Sequence, residues 1–215
     1  MALLALFIFC LNNWLLGAFV NQRLFLAGAA ISEYSVPGQP YAGWYRFFDI
    51  LSGLLLLAAA SWLIYYRNKL PKIGKYFIAV CLVFALGNSV DGLLPLDCSE
   101  TLSKSCSLNI SLEPSHFLLP SHAYSSVLIA VSYFSLPLVG YLVAKENKKA
   151  SFFLWMSLGT TIAALVFLLV AIISYYTHRS FDVPVSGWLQ IVHLFIFSLW
   201  FLAAYRHFEV SFKEH

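Results

Sequence analysis

Asp91 stands where the surrounding sequence reads as hydrocarbon. The run Lys75–Pro95, KYFIAVCLVFALGNSVDGLLP, is long enough to cross a bilayer, and the aspartate lies in its outer third. An ionised carboxylate in a spanning helix costs about 2.5–3.5 kcal/mol at the centre and less toward the interface, so such a residue needs a partner and marks a candidate site. His122 opens a later apolar run, with Ser125 and Ser126 three and four residues on and so beside it on a helical face. A carboxylate, an imidazole and a hydroxyl are the groups of nucleophilic hydrolysis. They are equally the groups of a hydrogen-bonded headgroup site or of a structural pair. Asp91, His122 and Ser126 are therefore the candidates for catalysis, although no G-x-S-x-G turn exposes a serine.

Other polar residues are expected near the same membrane face. Asn88 and Asp91 are three apart and share a helical face, and Asp97 follows just past Pro95. Ser32 and Glu33 lie in an earlier loop, Arg46 and Asp49 are three apart where they can pair, and Gln190 and His193 are three apart in the last apolar run. Ser32, Glu33, Asp49, Asn88, Asp91, Asp97, His122, Gln190 and His193 form the candidate ligand-binding set. Each has a plainer role available. Arg46–Asp49 is an interfacial ion pair, the serines at 125, 126, 132 and 135 are small packing residues, and His193 is a buried, hydrogen-bonded histidine. Trp44, Tyr45, Trp62, Tyr65, Tyr66 and Trp188 form an aromatic belt.

Helices in a membrane must position these groups. Of 215 residues, 60% are hydrophobic and only 11% charged, with mean hydropathy +0.78, whereas soluble domains are typically about 25% charged. An all-α polytopic membrane protein is expected, one integral membrane domain over 1–215. Runs of about 20 apolar residues place six transmembrane helices at about 2–20, 45–66, 76–95, 122–144, 151–174 and 186–205. The first carries Asn12 and Asn13; the rival, a cleaved signal peptide, would want a basic start, and Met1–Phe9 has no Lys or Arg.

With the N-terminus inside, Arg67, Lys69, Lys72, Lys75, Lys145, Lys148, Lys149, Arg206 and Lys213 fall on the cytoplasmic side, and Arg23, Arg46, Lys104 and Arg179 outside. That bias puts both termini in the cytoplasm. The expected location is a plasma membrane, the inner membrane of a bacterium. The outer loops, 21–44, 96–121 and 175–185, are the long ones. The first is too apolar (LFLAGAAI) to be a free loop, so it continues span 1 or lies in the interface as a short amphipathic piece.

Cys10 and Cys81 fall inside spans as packing residues. Cys98 and Cys106 share the second outer loop and read as a disulfide if that side is oxidising. Free thiols, or a metal site completed by His116 and His122, are the alternatives. Neither a cofactor nor nucleic acid is indicated, because the basic residues sit in short loops between apolar runs.

The stretch Ile31-Ser32-Glu33-Tyr34, then Pro40-Tyr41-Ala42, Gly92-Leu93-Leu94-Pro95-Leu96-Asp97-Cys98, His122 opening the fourth span and Gly187-Trp188-Leu189-Gln190 opening the sixth resemble a six-span prokaryotic membrane protein family. That family is catalogued as domain of unknown function number 998. One departure is Val192-His193, since the position after Gln190-Ile191 is often basic in such proteins. The Ile-Ser-acid element is also similar to that of the Frag/DRAM/Sfk group, whose link to lipid remodelling implies a lipid-related role. The Ser/Asp/His mixture resembles the membrane hydrolases that include alkaline ceramidases and the progestin and adipoQ receptors. Those place three histidines around zinc, whereas no H-x-x-x-H pair falls within a span here.

The expected function is binding or processing of a lipid or other amphiphile at an outer-face polar site around Asp91, Asp97 and His122. The expected partner is membrane lipid. The alternative is a non-catalytic accessory subunit whose apolar faces bind partner helices. Six short spans without inverted repeats argue against a secondary carrier, and proton or ion conduction through Asp91 and Asp49 is a further alternative.

Overall fold

Backbone polar groups in lipid have no water to bond, so an apolar run of this length satisfies them internally as a helix. The computed structural model describes residues 2–66, 68, 70–99, 101–103, 106, 122–146, 151–178 and 183–213. Its elements in chain order are α1 (Ala2–Leu11), a 3-10 turn (Asn13–Leu16), α2 (Gly17–Val20), α3 (Gln22–Leu26), a second 3-10 turn (Ile31–Ser35), α4 (Ala42–Tyr65), α5 (Gly74–Leu93), α6 (His122–Glu146), α7 (Ser151–His178) and α8 (Val183–Lys213). Five helices, α4 to α8, are long and apolar enough to cross a membrane, or up to six elements if the bent α1 pair counts as one span. His116, Arg67, Lys69, Lys104, Lys148, Lys149, most of the second expected outer loop and residues 179–182 of the third, Arg179 among them, lie outside the described residues.

The expected continuous first span over 2–20 is corrected by a bend of 59° between Leu3–Leu11 and Asn13–Val20. Two asparagines cause it. The Asn12 amide donates to the Ile8 carbonyl at 2.8 Å and the Asn13 amide to the Cys10 carbonyl at 2.7 Å. Short polar side chains that take local carbonyls compete with helix continuation. Beyond α2, the apolar first outer segment folds into α3 and a turn with Gly28 at φ 64°, the left-handed region glycine favours.

Neighbours in sequence are neighbours in space. α4 packs on α5, α5 on α6, α6 on α7 and α7 on α8, while α1 lies against α4 and touches α8. Lipid gives helices no hydrophobic drive to associate, so close van der Waals fit has to hold them together. At the α4–α5 contact, a Cβ on Gly53 would stand 2.6 Å from the Ala85 carbonyl oxygen, and one on Gly92 would stand 2.6 Å from that of Arg46. Inside the bundle, Phe84 meets Phe197 edge-on at 5.5 Å, Phe197 stacks on Trp200 at 5.5 Å, and Phe7 meets Phe201 at 4.9 Å. Such pairs contribute about 0.5–1.5 kcal/mol beyond area burial.

Gly53→Ala is expected to force α4 and α5 apart at a backbone contact and to destabilise the protein by about 1–3 kcal/mol. Gly159→Ala, where a Cβ meets nothing within 4 Å, should be neutral or slightly stabilising. Thermal melting of the two variants in detergent checks this. Equal melting temperatures would mean that α4 and α5 do not depend on this contact.

Candidate functional site

α5 ends at Leu93, and Leu94 (φ −116°, ψ 73°) turns the chain toward Pro95, whose ring disfavours helix at the residue before it. The last carbonyls of α5 therefore need outside donors. Arg46 supplies two, through Nε to Gly92 at 3.0 Å and a longer 3.5 Å contact to Leu93. The expected Arg46–Asp49 ion pair is thus corrected: the guanidinium caps the negative end of α5, and Asp49 instead accepts from the Asn13 amide at 3.0 Å.

His122, the first residue of α6, takes the next carbonyl. Its Nδ1 lies 2.8 Å from the Leu94 oxygen and 3.2 Å from Asp91 Oδ1. Both neighbours are acceptors, so Nδ1 is the donor whatever the ring's charge, and Nε2 is the nitrogen left for a ligand. Ser125 completes the group with its hydroxyl 2.6 Å from Asp91 Oδ1. The same oxygen is 2.8 Å from the His122 carbonyl, but its one hydrogen favours the carboxylate, the stronger acceptor. Among the described residues, no serine hydroxyl meets the His122 ring. Asp91 and His122 keep 15% and 10% side-chain exposure, so the pair is reachable from outside the bundle.

The common face expected for Asn88 and Asp91 is divided between two neighbours. Asp91 turns to α6, whereas Asn88 donates to Ser52 of α4 at 3.2 Å, and Ser52 donates to the Asp49 carbonyl at 2.8 Å. Asp97 is exposed at the rim and Ser32 is half-buried.

Glu33 belongs to a different assembly. Its carboxylate, 3% exposed, accepts from the Ala30 amide at 3.3 Å, the Thr101 amide at 3.0 Å, the Thr101 hydroxyl at 2.8 Å and the Ser99 hydroxyl. Four donors around a buried carboxylate compensate its desolvation without a cation. The Cys98–Cys106 disulfide, Cα atoms 5.9 Å apart, closes the loop that carries two of those donor residues. On the chain-entropy account, a loop of that size contributes about 2–3 kcal/mol.

Gln190 joins α8 to the same assembly by accepting from the Ile31 amide at 3.0 Å, and Trp188 meets Phe25 edge-on at 5.1 Å. A Cβ at Gly187 would collide with the Gly28 and Ala29 carbonyls. Tyr34 packs on Tyr45 at 5.3 Å, and burial, with Tyr45 and Glu33 adding, pushes its phenol above the ordinary tyrosine range. Tyr45 is itself 3% exposed; it is a packing residue of this outer cap rather than part of the aromatic belt, to which Trp44, Trp62, Tyr65 and Trp188 remain exposed.

His193 is buried at 3% but differs from the expected hydrogen-bonded histidine. Among the described residues neither ring nitrogen has a hydrogen-bond partner, although the Thr160 backbone lies nearby. The ring is held by Tyr133 edge-on at 4.6 Å and by Phe167 stacked at 5.6 Å. Among the described residues, no three His, Cys, Asp or Glu side chains gather as a metal site would require.

Sequence reasoning missed Ser52, Ser99, Thr101 and Ser198, the last of which receives the Asn12 amide at 2.7 Å. Single serines and threonines in apolar or loop sequence carry no signal of their own. For Ser99 and Thr101, closeness to Cys98 was the one available hint.

The family model described as Protein of unknown function (DUF998) matches residues 1–207. No curated protein and no solved structure matches the chain.

Asp91 and His122 should behave as one coupled unit. Asp91→Asn and His122→Ala are each expected to lower stability by about 1–3 kcal/mol, since each strands a partner. The double variant should lose less than the sum, with a coupling energy of about 0.5 kcal/mol or more. Melting of the four proteins in one detergent checks it. Strict additivity would make the two residues independent.

Proposed function

The chain belongs to the family described as Protein of unknown function (DUF998), a description that carries no activity, and we propose its function from the outer end of the bundle. There the protein binds a membrane lipid or another amphiphile by the polar headgroup, against Asp91 and His122, with Asp97 at the rim. One observation supports this reading above the rest. The two side chains meet at 3.2 Å and yet stay partly exposed, so a pair able to carry opposite charges lies at membrane depth and still faces outward. A headgroup hydroxyl or amine can donate to the Asp91 carboxylate. A phosphate or carbonyl can accept from His122 Nε2 when that nitrogen carries a proton.

The reading includes the finer topology. The bent first pair counts as one span, giving six, with both termini in the cytoplasm and the α5–α6 connection outside, in the plasma membrane of a bacterium. The Lys/Arg distribution supports it. Catalysis is not assigned, because the Ser125 hydroxyl is engaged with Asp91 and, among the described residues, no serine hydroxyl meets the His122 ring. The accessory-subunit alternative draws on α7, where Phe152, Trp155, Ile162 and Leu165 are exposed. Stoichiometric copurification of another membrane protein, without bound lipid, would favour it.

Protein purified in mild detergent is expected to carry a lipid detectable by mass spectrometry. Asp91→Asn and His122→Ala, checked by melting to be folded, should lose most of that outer-site lipid. Unchanged lipid content in both folded variants would overturn the headgroup site.

The topology has its own check in Lys148→Cys on intact cells. It should resist a membrane-impermeant maleimide and react once the membrane is opened. Labelling from outside would reverse the orientation.

A further inference from the structure

A cavity of about 630 Å³ opens between α1, α4, α5 and α8, at the far end of the bundle from Asp91 and His122. Its walls come from the start of α1 (Phe7), the second half of α4 (Leu56, Leu63), the first half of α5 (Phe77) and the second half of α8 (Phe201). On α5, Phe77 and Asp91 are separated by about 21 Å of helix rise, so the cavity is distinct from the outer mouth. Small side chains leave it open: Ala58, Ala59 and Ala60 of α4 and Ala204 of α8 line it.

The occupant follows from size, polarity and charge. Among the described residues no charged side chain lines the cavity, whose polar side chains are Trp62, Cys81 and Tyr205; each water needs two to four polar partners, so these three are too few for water to fill the volume. A partner helix, about 10–12 Å across, would exhaust the volume in under two turns. A single hydrocarbon chain in the surrounding bilayer meets neither obstacle, and the volume lies within the usual range for ligand sites. The same end of the bundle carries exposed Lys72, Lys75, Lys145 and Arg206 against Glu146 and Glu209. Basic residues beside a membrane concentrate anionic lipids by about 1 kcal/mol each.

We propose that this cavity holds one acyl chain of an anionic phospholipid, inserted sideways from the leaflet opposite the Asp91–His122 site. The chain lies along the Ala58–Ala60 face of α4, while its headgroup stays at the basic end of the bundle. This goes beyond the headgroup site proposed above and does not depend on it.

The test uses the full chain reconstituted in nanodiscs of equal phosphatidylglycerol and phosphatidylcholine, transferred to mild detergent, with retained lipid counted by native mass spectrometry. Ala59 is exposed and lines the cavity, so Ala59→Trp fills it from the open side; Ala58→Phe replaces that variant if its melting shows it misfolded. Wild type is expected to retain one phosphatidylglycerol that the filled variant loses at least fivefold. Val166→Trp on the exposed face of α7 should keep it. Wild-type retention by a folded, filled variant would overturn the site. Equal retention of phosphatidylcholine would overturn the anionic lipid, and equal loss in Val166→Trp would overturn the assignment to this cavity.

Discussion

In hydrocarbon a polar group finds its partner inside the protein or leaves it unmet, and the arrangement of this bundle follows from that constraint. Asp49 is answered by Asn13, Asn88 by Ser52, and Asp91 by His122 and Ser125. Each of these contacts joins two different helices, so satisfying the polar atoms also sets which helices are neighbours and at what height. Where the terminal carbonyls of α5 come free, Arg46 and His122 arrive from the two flanking helices to take them. His193 is the contrast: its nitrogens lack such partners, and aromatic rings enclose it instead.

The end of the bundle that carries Asp91 has a second organising centre in Glu33. A single buried carboxylate draws the disulfide-closed segment onto the turn at Ile31–Ser35, and Gln190 brings the start of α8 onto the same turn. The Ile-Ser-Glu-Tyr and Gly-Trp-Leu-Gln stretches that carry the family resemblance meet here, far apart in sequence and in contact in space. They build the cap beside the mouth. Asp91 and His122, on α5 and α6, form the part of that end whose charged side chains stay partly exposed. Closed cap and open mouth are thus made by different residues, although all of them read alike as polar residues in outer loops.

Much of the architecture is written in the chain. Runs of about 20 apolar residues have one conformation that satisfies their backbone in lipid, so α4 to α8 are set by local composition. The meeting of Asp91 with His122 was legible because consecutive antiparallel spans bring the end of one beside the start of the next, and the bridge between Cys98 and Cys106 because both fall in the one loop that joins them. Direction around a helix was not legible in the same way. Three residues separate Asn88 from Asp91, and likewise Arg46 from Asp49, yet the members of each pair face different partners. The rotation of a helix is chosen by close contacts such as Gly53 and Gly92, which depend on both helices at once. The clamp of Ser99 and Thr101 on Glu33 and the cavity beside Ala58–Ala60 have the same origin. Each arises where several segments remote in sequence meet, and only the packed bundle decides that.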